Sequence, residues 1–408
     1  MHIPDGYLSP STCAVMYAAS APCWWAALRR TRRKLFGRTL PLLSLFAAFS
    51  FVTMMFNLPL PGGTTGHAVG VGIAAIVLGP WASLLAISLA LAIQALFFGD
   101  GGITTLGANC FNMAIAGSFA AWGIYQLVSL GAAADSRRRV VAAALAGYGA
   151  INLSALLAAI EFGIQPMLFH DASGAPLYAP YPLHIAIPAM MAGHLTIAGA
   201  AEAVMSAGLF SYLRRNEPSL VGCTARPAGV GRTAGAGGYA ATDAAPAAGA
   251  GRTLWGALAV VLLMTPLGIL ASGAAWGEWA TKDFSNSATR VRMAAASGRA
   301  APPMAVPSGL ARWANLWTAP LPDYAPHFVK SAAFGYLLSA MFGVGLILAV
   351  TWLVQRATQG ANPSAEKCAE VATDTGQQMA LRPPTPGRSG NRAADQSVRP
   401  PASRRSEP

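Results

Sequence analysis

Charged residues are scarce in this sequence. Only 11% of its 408 residues are Asp, Glu, Lys or Arg, whereas 54% are hydrophobic. A soluble domain carries about 25% charged residues, so this composition excludes an ordinary soluble protein. Apolar runs of about twenty residues, the length that crosses a bilayer, recur along the chain and predict a polytopic membrane protein.

Enzyme motifs and cysteine pairs are also missing. The five cysteines are scattered and form no CxxC pair, so neither a disulfide framework nor a zinc site is predicted. No GxxxxGK[ST] loop is present, so the chain itself is not expected to hydrolyse ATP as a P-loop protein. HExxH and GxSxG motifs are absent as well. We therefore expect no enzymatic activity, and no cleavable signal peptide.

The net charge of +12 lies in short basic clusters between the apolar runs, a distribution that does not indicate nucleic-acid binding. Six basic residues follow the first span, 8–28: Arg29, Arg30, Arg32, Arg33, Lys34 and Arg38. The positive-inside rule places such clusters in the cytoplasm. The N-terminus is therefore predicted outside, and the second span, 40–58, returns the chain to the outer face before His67.

Four segments are predicted. They are a seven-helix transmembrane module (1–215), an Ala/Gly-rich cytoplasmic linker (216–252), a two-span accessory module (253–356) and a disordered cytoplasmic tail (357–408). In the accessory module the spans are predicted at 254–272 and 331–354, with an outer loop, 273–330, between them. Gly79-Pro80 is expected to split 68–98 into two short helices. The fold class is thus an all-α, multi-pass protein of the cell inner (plasma) membrane.

The first six residues, Met-His-Ile-Pro-Asp-Gly, form a potential chelate. Met1 is expected to be retained, because removal of the initiator methionine requires a small second residue. The terminal amine, the His2 amide nitrogen and the His2 imidazole can close two small rings around one ion. Such a nitrogen field suits Ni(II) and Cu(II). Pro4 and Gly6 favour a fixed turn, and His67, predicted on the same side, is the natural fourth nitrogen.

These motifs resemble a known family. The N-terminal hexapeptide, Thr64-Thr65-Gly66-His67, and the stretch from Gly101 to Ala114 closely resemble the substrate-binding membrane subunit of energy-coupling-factor cobalt and nickel transporters (the CbiM/NikM family), through about residue 215. The resemblance implies that Met1, His2 and His67 hold the transported Co2+ or Ni2+. It also implies a transmembrane coupling subunit of CbiQ/NikQ type and ATPase subunits of CbiO/NikO type, in a lipid membrane, with no resident cofactor.

The second module resembles the small companion subunit of the same transporters, of CbiN/NikN type with a PDGLE domain. The similarity lies in 265–271, 275–279 and 319–324. Where the namesake Pro-Asp-Gly-Leu-Glu would fall, the chain has Pro307-Ser308-Gly309-Leu310-Ala311. Both acids are missing here: Ser308 stands in the place of the aspartate and Ala311 in the place of the glutamate.

Several polar residues are candidates for support rather than direct binding. Asp5, Asn109 and Asn112 are expected to brace the metal-bearing segment by hydrogen bonds, although both asparagines equally fit helix–helix contacts. Glu202 lies in the middle of a predicted span, eight residues after His194. A carboxylate there is costly, and both bundle packing and coupling to a partner subunit account for it.

Three functions remain at this stage. The favoured one is the metal-capturing membrane component of an ATP-driven energy-coupling-factor importer. The alternative is a stand-alone secondary permease with a structural N-terminus, for which few buried acids and no inverted repeat are found. An intramembrane metalloenzyme would need an acid/base group beside the ligands. The sequence does not decide whether the transported ion is cobalt or nickel.

Overall fold

The computed structural model describes residues 1–35, 39–60, 63–222, 250–271 and 273–359. Most of the predicted linker (216–252) and of the predicted tail (357–408) therefore lies outside the described residues. Residues 1–357 form one compact unit. The second unit, 358–408, contributes only the last two residues of a helix to the described part of the chain.

The described residues are mainly α-helical. The helices are α1 (Pro10–Leu35), α2 (Thr39–Met54), α3 (Val71–Leu78), α4 (Pro80–Ile93), α5 (Leu106–Asn109), α6 (Gly117–Val128), α7 (Arg137–Leu168), α8 (Leu183–Gly193), α9 (Gly199–Asn216), α10 (Pro218–Gly222), α11 (Ala250–Leu263), α12 (Ser287–Ala296), α13 (Ser308–Trp313) and α14 (Ala332–Gln359). Three π-helical stretches continue α4, α5 and α8: Gln94–Phe98, Cys110–Ala116 and His194–Ala198. Strands β1 (Leu58–Leu60) and β2 (Thr64–Gly66) form an antiparallel hairpin.

Four helical stretches among the described residues are long and apolar enough to cross a membrane. They are Pro80–Phe98, Arg137–Leu168, Leu183–Asn216 and Ala332–Ala357, and two shorter apolar helices cover Leu40–Met54 and Leu254–Leu270. The prediction of an all-α, multi-pass membrane protein is therefore confirmed. The division into seven spans and then two stays a prediction.

The predicted break at Gly79-Pro80 separates α3 from α4. Gly79 has a φ of +78°, which glycine adopts without steric cost, and Pro80 is the first residue of α4. The preceding helix has only eight residues, whereas the apolar stretch after the break runs for nineteen, from Pro80 to Phe98. Only the first of the two helices is thus as short as predicted.

The second module is more structured than a pair of spans joined by a loop. The predicted span 254–272 is an α-helix only to Leu263, and a 3-10 turn at Thr265–Leu270 follows. Pro266 has no backbone N–H to continue the α-helix, which explains the change. The predicted outer loop, 273–330, contains α12, α13 and two 3-10 turns, Thr281–Phe284 and Pro322–Tyr324. Residues of this loop contact the first module, through Glu278 at Met1 and Trp279 at Tyr7.

Candidate metal centre

The N-terminal residues turn into the protein and are buried. The exposed fractions of Met1 and His2 are 3% and 0%. Gly6, with a φ of +84°, allows the sharp turn that leads from this segment into α1. The chain start therefore lies inside the first module, with its amine and the first imidazole withdrawn from water.

Ile3 anchors this segment by its backbone. Its N–H donates to Asn109 Oδ1 at 2.8 Å, and its carbonyl accepts from Asn109 Nδ2 at 3.1 Å. The same carbonyl accepts from the Thr105 hydroxyl and from the Gly102 N–H at 2.9 Å. A single asparagine thus holds both sides of one residue, which fixes the position of its neighbour His2.

Asp5 binds the loop that carries those anchors. Its carboxylate accepts from the Thr104 N–H at 2.7 Å, from the Thr104 hydroxyl and from the Ile103 N–H at 3.1 Å. A Cβ placed at Gly102 would lie 2.5 Å from Asp5 Oδ1 and 2.6 Å from Thr105 Oγ1, so only glycine fits at this crossing. Both segments are therefore closely packed.

His2 and His67 lie side by side. Their ring centroids are 4.9 Å apart with an interplanar angle of 59°, and His67 is only 6% exposed. Since a metal–imidazole bond is about 2 Å long, one ion can contact both rings. His67 directly follows β2, four residues before α3 begins at Val71, and there it meets a residue 65 positions earlier in the sequence.

His67 is held as a neutral imidazole. Burial lowers its pKa well below the ordinary value, and the nearby His2 and terminal amine lower it further. Its Nδ1 donates to the Ala68 carbonyl at 3.1 Å, so Nε2 is the unprotonated nitrogen. A neutral ring with a free lone pair is the form that binds a metal.

The His2 ring is held by Asp100. Its Nδ1 donates to Asp100 Oδ1, while Nε2 is buried and has no hydrogen-bond partner among the described residues. Burial alone would raise the pKa of Asp100, but its contact with His2 and the charge field of His67 lower it below the ordinary value. Asp100 is thus a carboxylate here, and it accepts a further hydrogen bond from the Tyr324 hydroxyl at 2.6 Å.

The terminal amine contacts the second module. Met1 N lies 3.1 Å from Glu278 Oε1, and this acid is partly exposed. The same segment of the second module contacts Tyr7, whose hydroxyl donates to the Trp279 carbonyl at 2.7 Å. It also contacts the strand before His67, since the Thr65 N–H donates to the Ala274 carbonyl at 3.3 Å. Residues 274–279 therefore lie over both predicted ligand segments.

This arrangement has a chemical consequence for chelation. The two small rings of an N-terminal chelate require the free amine and His2 Nδ1, and in this structure both nitrogens contact carboxylates. An ion bound in that way would have to displace Glu278 and Asp100 from these atoms. Within the described residues, no group of three or more His, Cys, Asp or Glu side chains is placed to hold a metal.

The other residues singled out in the sequence lie away from this cluster. Asn112 does not brace the N-terminal segment; its Nδ2 donates to Glu161 Oε2 at 2.9 Å and links the π-helical stretch after α5 to α7. His194 donates from Nδ1 to the Met190 carbonyl at 2.8 Å. Glu202 accepts from backbone N–H groups of residues 69–72.

Three functional candidates escaped the sequence analysis: Asp100 as a partner of His2, Glu278 and Tyr324. Asp100 lies directly before two glycines, a pattern typical of a turn, and nothing in the sequence links it to His2. Glu278 and Tyr324 lie in a segment whose resemblance to the companion subunit was noted, but no spacing rule links them to positions 1 and 100.

Two family models match this chain. A model of the cobalt uptake substrate-specific transmembrane region matches residues 2–220, more than half of the chain. The chain belongs to this family. A PDGLE domain model matches residues 251–359, so the resemblance to both subunits of these transporters is confirmed.

Individual known proteins are similar to this chain over different shares of its length. The chain is 56% identical to the fused nickel transport protein NikMN of Rhodobacter capsulatus, over 86% of this chain and 95% of that protein. It is 41% identical to the probable fused nickel transport protein LarMN of Lactiplantibacillus plantarum, over 70% of this chain and 79% of that protein. A crystal structure of a truncated transition metal transporter is 51% identical with a TM-score of 0.50, and covers 53% of this chain and 99% of that structure.

Proposed function

We propose that this protein is the substrate-specific membrane component of an ATP-driven energy-coupling-factor importer for Ni2+ or Co2+, and that it captures the ion with its free N-terminus and a loop histidine. The observation that carries the proposal is the buried meeting of the Met1 amine, His2 and His67, with the two rings 4.9 Å apart. The amine, the His2 amide nitrogen and imidazole, and the His67 imidazole would supply four nitrogens.

The donor set favours nickel as the cargo. A planar field of four nitrogens suits Ni(II) better than Co(II), and the usual order of affinities for divalent ions agrees. The two fused relatives that match 86% and 70% of this chain carry nickel in their names. The family description names cobalt, so both ions belong in the test.

The support around the ligands fits capture of an ion from outside the cell. The N-terminal segment is withdrawn from water and covered by residues 274–279, so an entering ion would be dehydrated and enclosed. We place the N-terminus outside the inner membrane and the C-terminus in the cytoplasm, following the positive-inside rule. Release would require work from separate CbiQ/NikQ-type and CbiO/NikO-type subunits, since the sequence contains no P-loop motif.

Metal titration calorimetry with the purified protein tests this function. Ni(II) and Co(II) would be titrated into the wild type, His67→Ala and His194→Ala. His194 is the matched control, because it is also buried and also donates from Nδ1 to a backbone carbonyl. His67→Ala should lose at least about 100-fold in Ni(II) affinity, since even residues that only support a ligand contribute about 10–100-fold.

The control separates a ligand from a buried structural histidine. His194→Ala should bind Ni(II) within about threefold of the wild type, because a lost neutral hydrogen bond outside the site costs only about 0.5–1.5 kcal/mol of stability. Equal affinities for wild type and His67→Ala, or equal losses in both variants, would contradict the proposal. Uptake of 63Ni by cells with and without the partner subunits would test the ATP-driven step.

A further inference from the structure

Glu202 is a buried acid on α9 that the proposed metal site does not use. It is fully buried and belongs to the apolar stretch Leu183–Asn216, which is long enough to cross a membrane. Burying a carboxylate in such a place is energetically unfavourable unless other groups donate hydrogen bonds to it or pair with it. Its partners therefore indicate why the position is acidic.

Those partners are backbone N–H groups at the start of α3. Glu202 Oε2 accepts from the N–H of Val69 at 2.7 Å and of Gly70 at 2.9 Å, and Oε1 accepts from the N–H of Gly72 at 3.2 Å. The first N–H groups of a helix have no partner within the helix. Gly70 has no side chain to cap them, so an acid from another helix does so.

The bonded segment begins directly after the predicted ligand His67. Val69 lies two residues along the chain, and the carbonyl between them, that of Ala68, accepts from His67 Nδ1 at 3.1 Å. The Ala68 carbonyl and the Val69 N–H belong to the same peptide group. Glu202 fixes this group through its N–H, and the orientation of the imidazole depends on its carbonyl. Both oxygens of Glu202 are engaged in these bonds, which does not suggest a metal ligand.

Close packing prevents the capped helix from sliding against α9. A Cβ placed at Gly72 would overlap Ser206 Oγ and lie 2.6 Å from Gly147 Cα. A Cβ at Gly147 would lie 3.0 Å from the Glu202 carbonyl oxygen. Helices α3, α7 and α9 thus meet through small residues one turn from the carboxylate, as helices in membranes commonly do.

We propose that Glu202 is a positioning residue for His67: by holding the N–H groups of residues 69, 70 and 72, it sets the place and orientation of the imidazole that takes the ion. This inference rests on the proposed function, since it requires His67 to be a ligand. It predicts that the effect of Glu202 on metal binding passes through His67.

A double-mutant cycle tests this coupling. Ni(II) affinity and the visible absorption spectrum of the bound ion would be measured for Glu202→Gln, His67→Ala and the double variant. Glu202→Gln should lower affinity by about 10-fold or more, in the range known for residues that orient ligands, and shift the spectrum toward that of His67→Ala. The double variant should bind no more weakly than His67→Ala, because coupled residues are not additive.

Two further variants keep the test decisive. Gly208→Ala is the control on the same helix, α9, where an added Cβ would meet nothing within 4 Å; its affinity should stay within about threefold of the wild type, since substitutions away from contacts have small effects. If Glu202→Gln does not fold, Glu202→Asp retains the charge but retracts it, and should show a smaller loss with the same dependence on His67.

The possible failures differ from one another. An equal loss on substitution of Glu202 with and without His67, or no loss at all, would overturn the positioning role and leave the proposed function intact. Wild-type affinity in His67→Ala would overturn both. A lower thermal midpoint with an unchanged spectrum would reduce Glu202 to a purely structural residue.

Discussion

The two modules contact the candidate metal site in different ways. Residues of the first module mainly hold the backbone beside the predicted ligands, as Asn109 does at Ile3 and Glu202 at Val69. The second module instead contacts the terminal amine itself through Glu278 and holds the acid on His2 through Tyr324. The difference suggests that the first module sets the geometry of the ligands and the second sets how easily an ion reaches them.

If this division is correct, substitutions in the two modules should have opposite signs. Changes to the supports in the first module should weaken metal binding. Changes to the contacts from the second module should free ligand atoms, and so speed or strengthen binding.

Gly102→Ala should have the largest effect. The added Cβ would lie against Asp5 and Thr105, so the N-terminal segment could not dock. Overpacking of this kind costs about 1–3 kcal/mol, and displacement of Met1 and His2 together should reduce Ni(II) affinity more than about 100-fold, beyond the loss of one support. Calorimetry and thermal unfolding in detergent would measure both.

Gly123→Ala is its control. A Cβ at this α6 position would meet nothing within 4 Å, so stability should be equal or slightly higher, since alanine is the better helix former. A Gly102→Ala protein that binds Ni(II) as well as Gly123→Ala would show that the tight crossing of the two segments is not needed.

Asn109→Ala should have the next largest effect, a loss of about 10–100-fold in Ni(II) affinity. It removes the amide that holds both the N–H and the carbonyl of Ile3. Asn112→Ala is the control on the same helical stretch, since its amide contacts Glu161 instead. Equal losses in the two variants would mean that both asparagines act only through helix packing.

Glu278→Gln should change binding in the opposite direction. The amide is nearly isosteric but carries no charge, so it holds the Met1 amine less strongly. A charged hydrogen bond that is partly exposed contributes about 1 kcal/mol. Ni(II) association should therefore accelerate by about threefold to tenfold. Asp283→Asn controls for loss of an acid in the same module, because Asp283 caps Ala280 and does not contact Met1. Stopped-flow absorption would measure the Ni(II) association rates of both variants. Slower association in Glu278→Gln would contradict the prediction and show that Glu278 promotes binding.

Tyr324→Phe should have the smallest effect. It removes the hydroxyl that donates to Asp100 and accepts from Gln94 Nε2 at 2.8 Å. This should cost about 1 kcal/mol of stability, and Ni(II) association should be faster by about threefold at most. Tyr336→Phe loses a comparable bond, to the Met55 carbonyl at 2.7 Å, and should match it in thermal midpoint but leave the association rate unchanged. Identical Ni(II) association rates in the two variants would show that Tyr324 does not control how easily the ion reaches its ligands.

Much of the fold follows from local sequence rules. The apolar runs and the Gly79-Pro80 break are properties of short windows, and the structure shows helices on either side of that break. The charge pattern also predicted one common face for His2 and His67, whose rings are 4.9 Å apart. Their role as ligands stays a prediction.

The contacts of the second module could not be predicted in the same way. Glu278 is 277 positions from Met1 and reaches it only because residues 274–279 pack beside β2 and Tyr7. Glu202 carries no sequence signature of its role, since its partners are backbone N–H groups that any residue except proline could supply. Such contacts depend on the tertiary arrangement alone.

The central claim is that the amine of Met1 is a metal ligand, and an N-terminal extension tests it most directly. Ni(II) binding would be measured for the protein with its native N-terminus, for the protein with two alanines added before Met1, and for His67→Ala, each verified by mass spectrometry. The extension keeps every side chain but moves the amine and its adjacent amide out of register. We predict a loss of binding as complete as in His67→Ala. Wild-type affinity in the extended protein would contradict the claim.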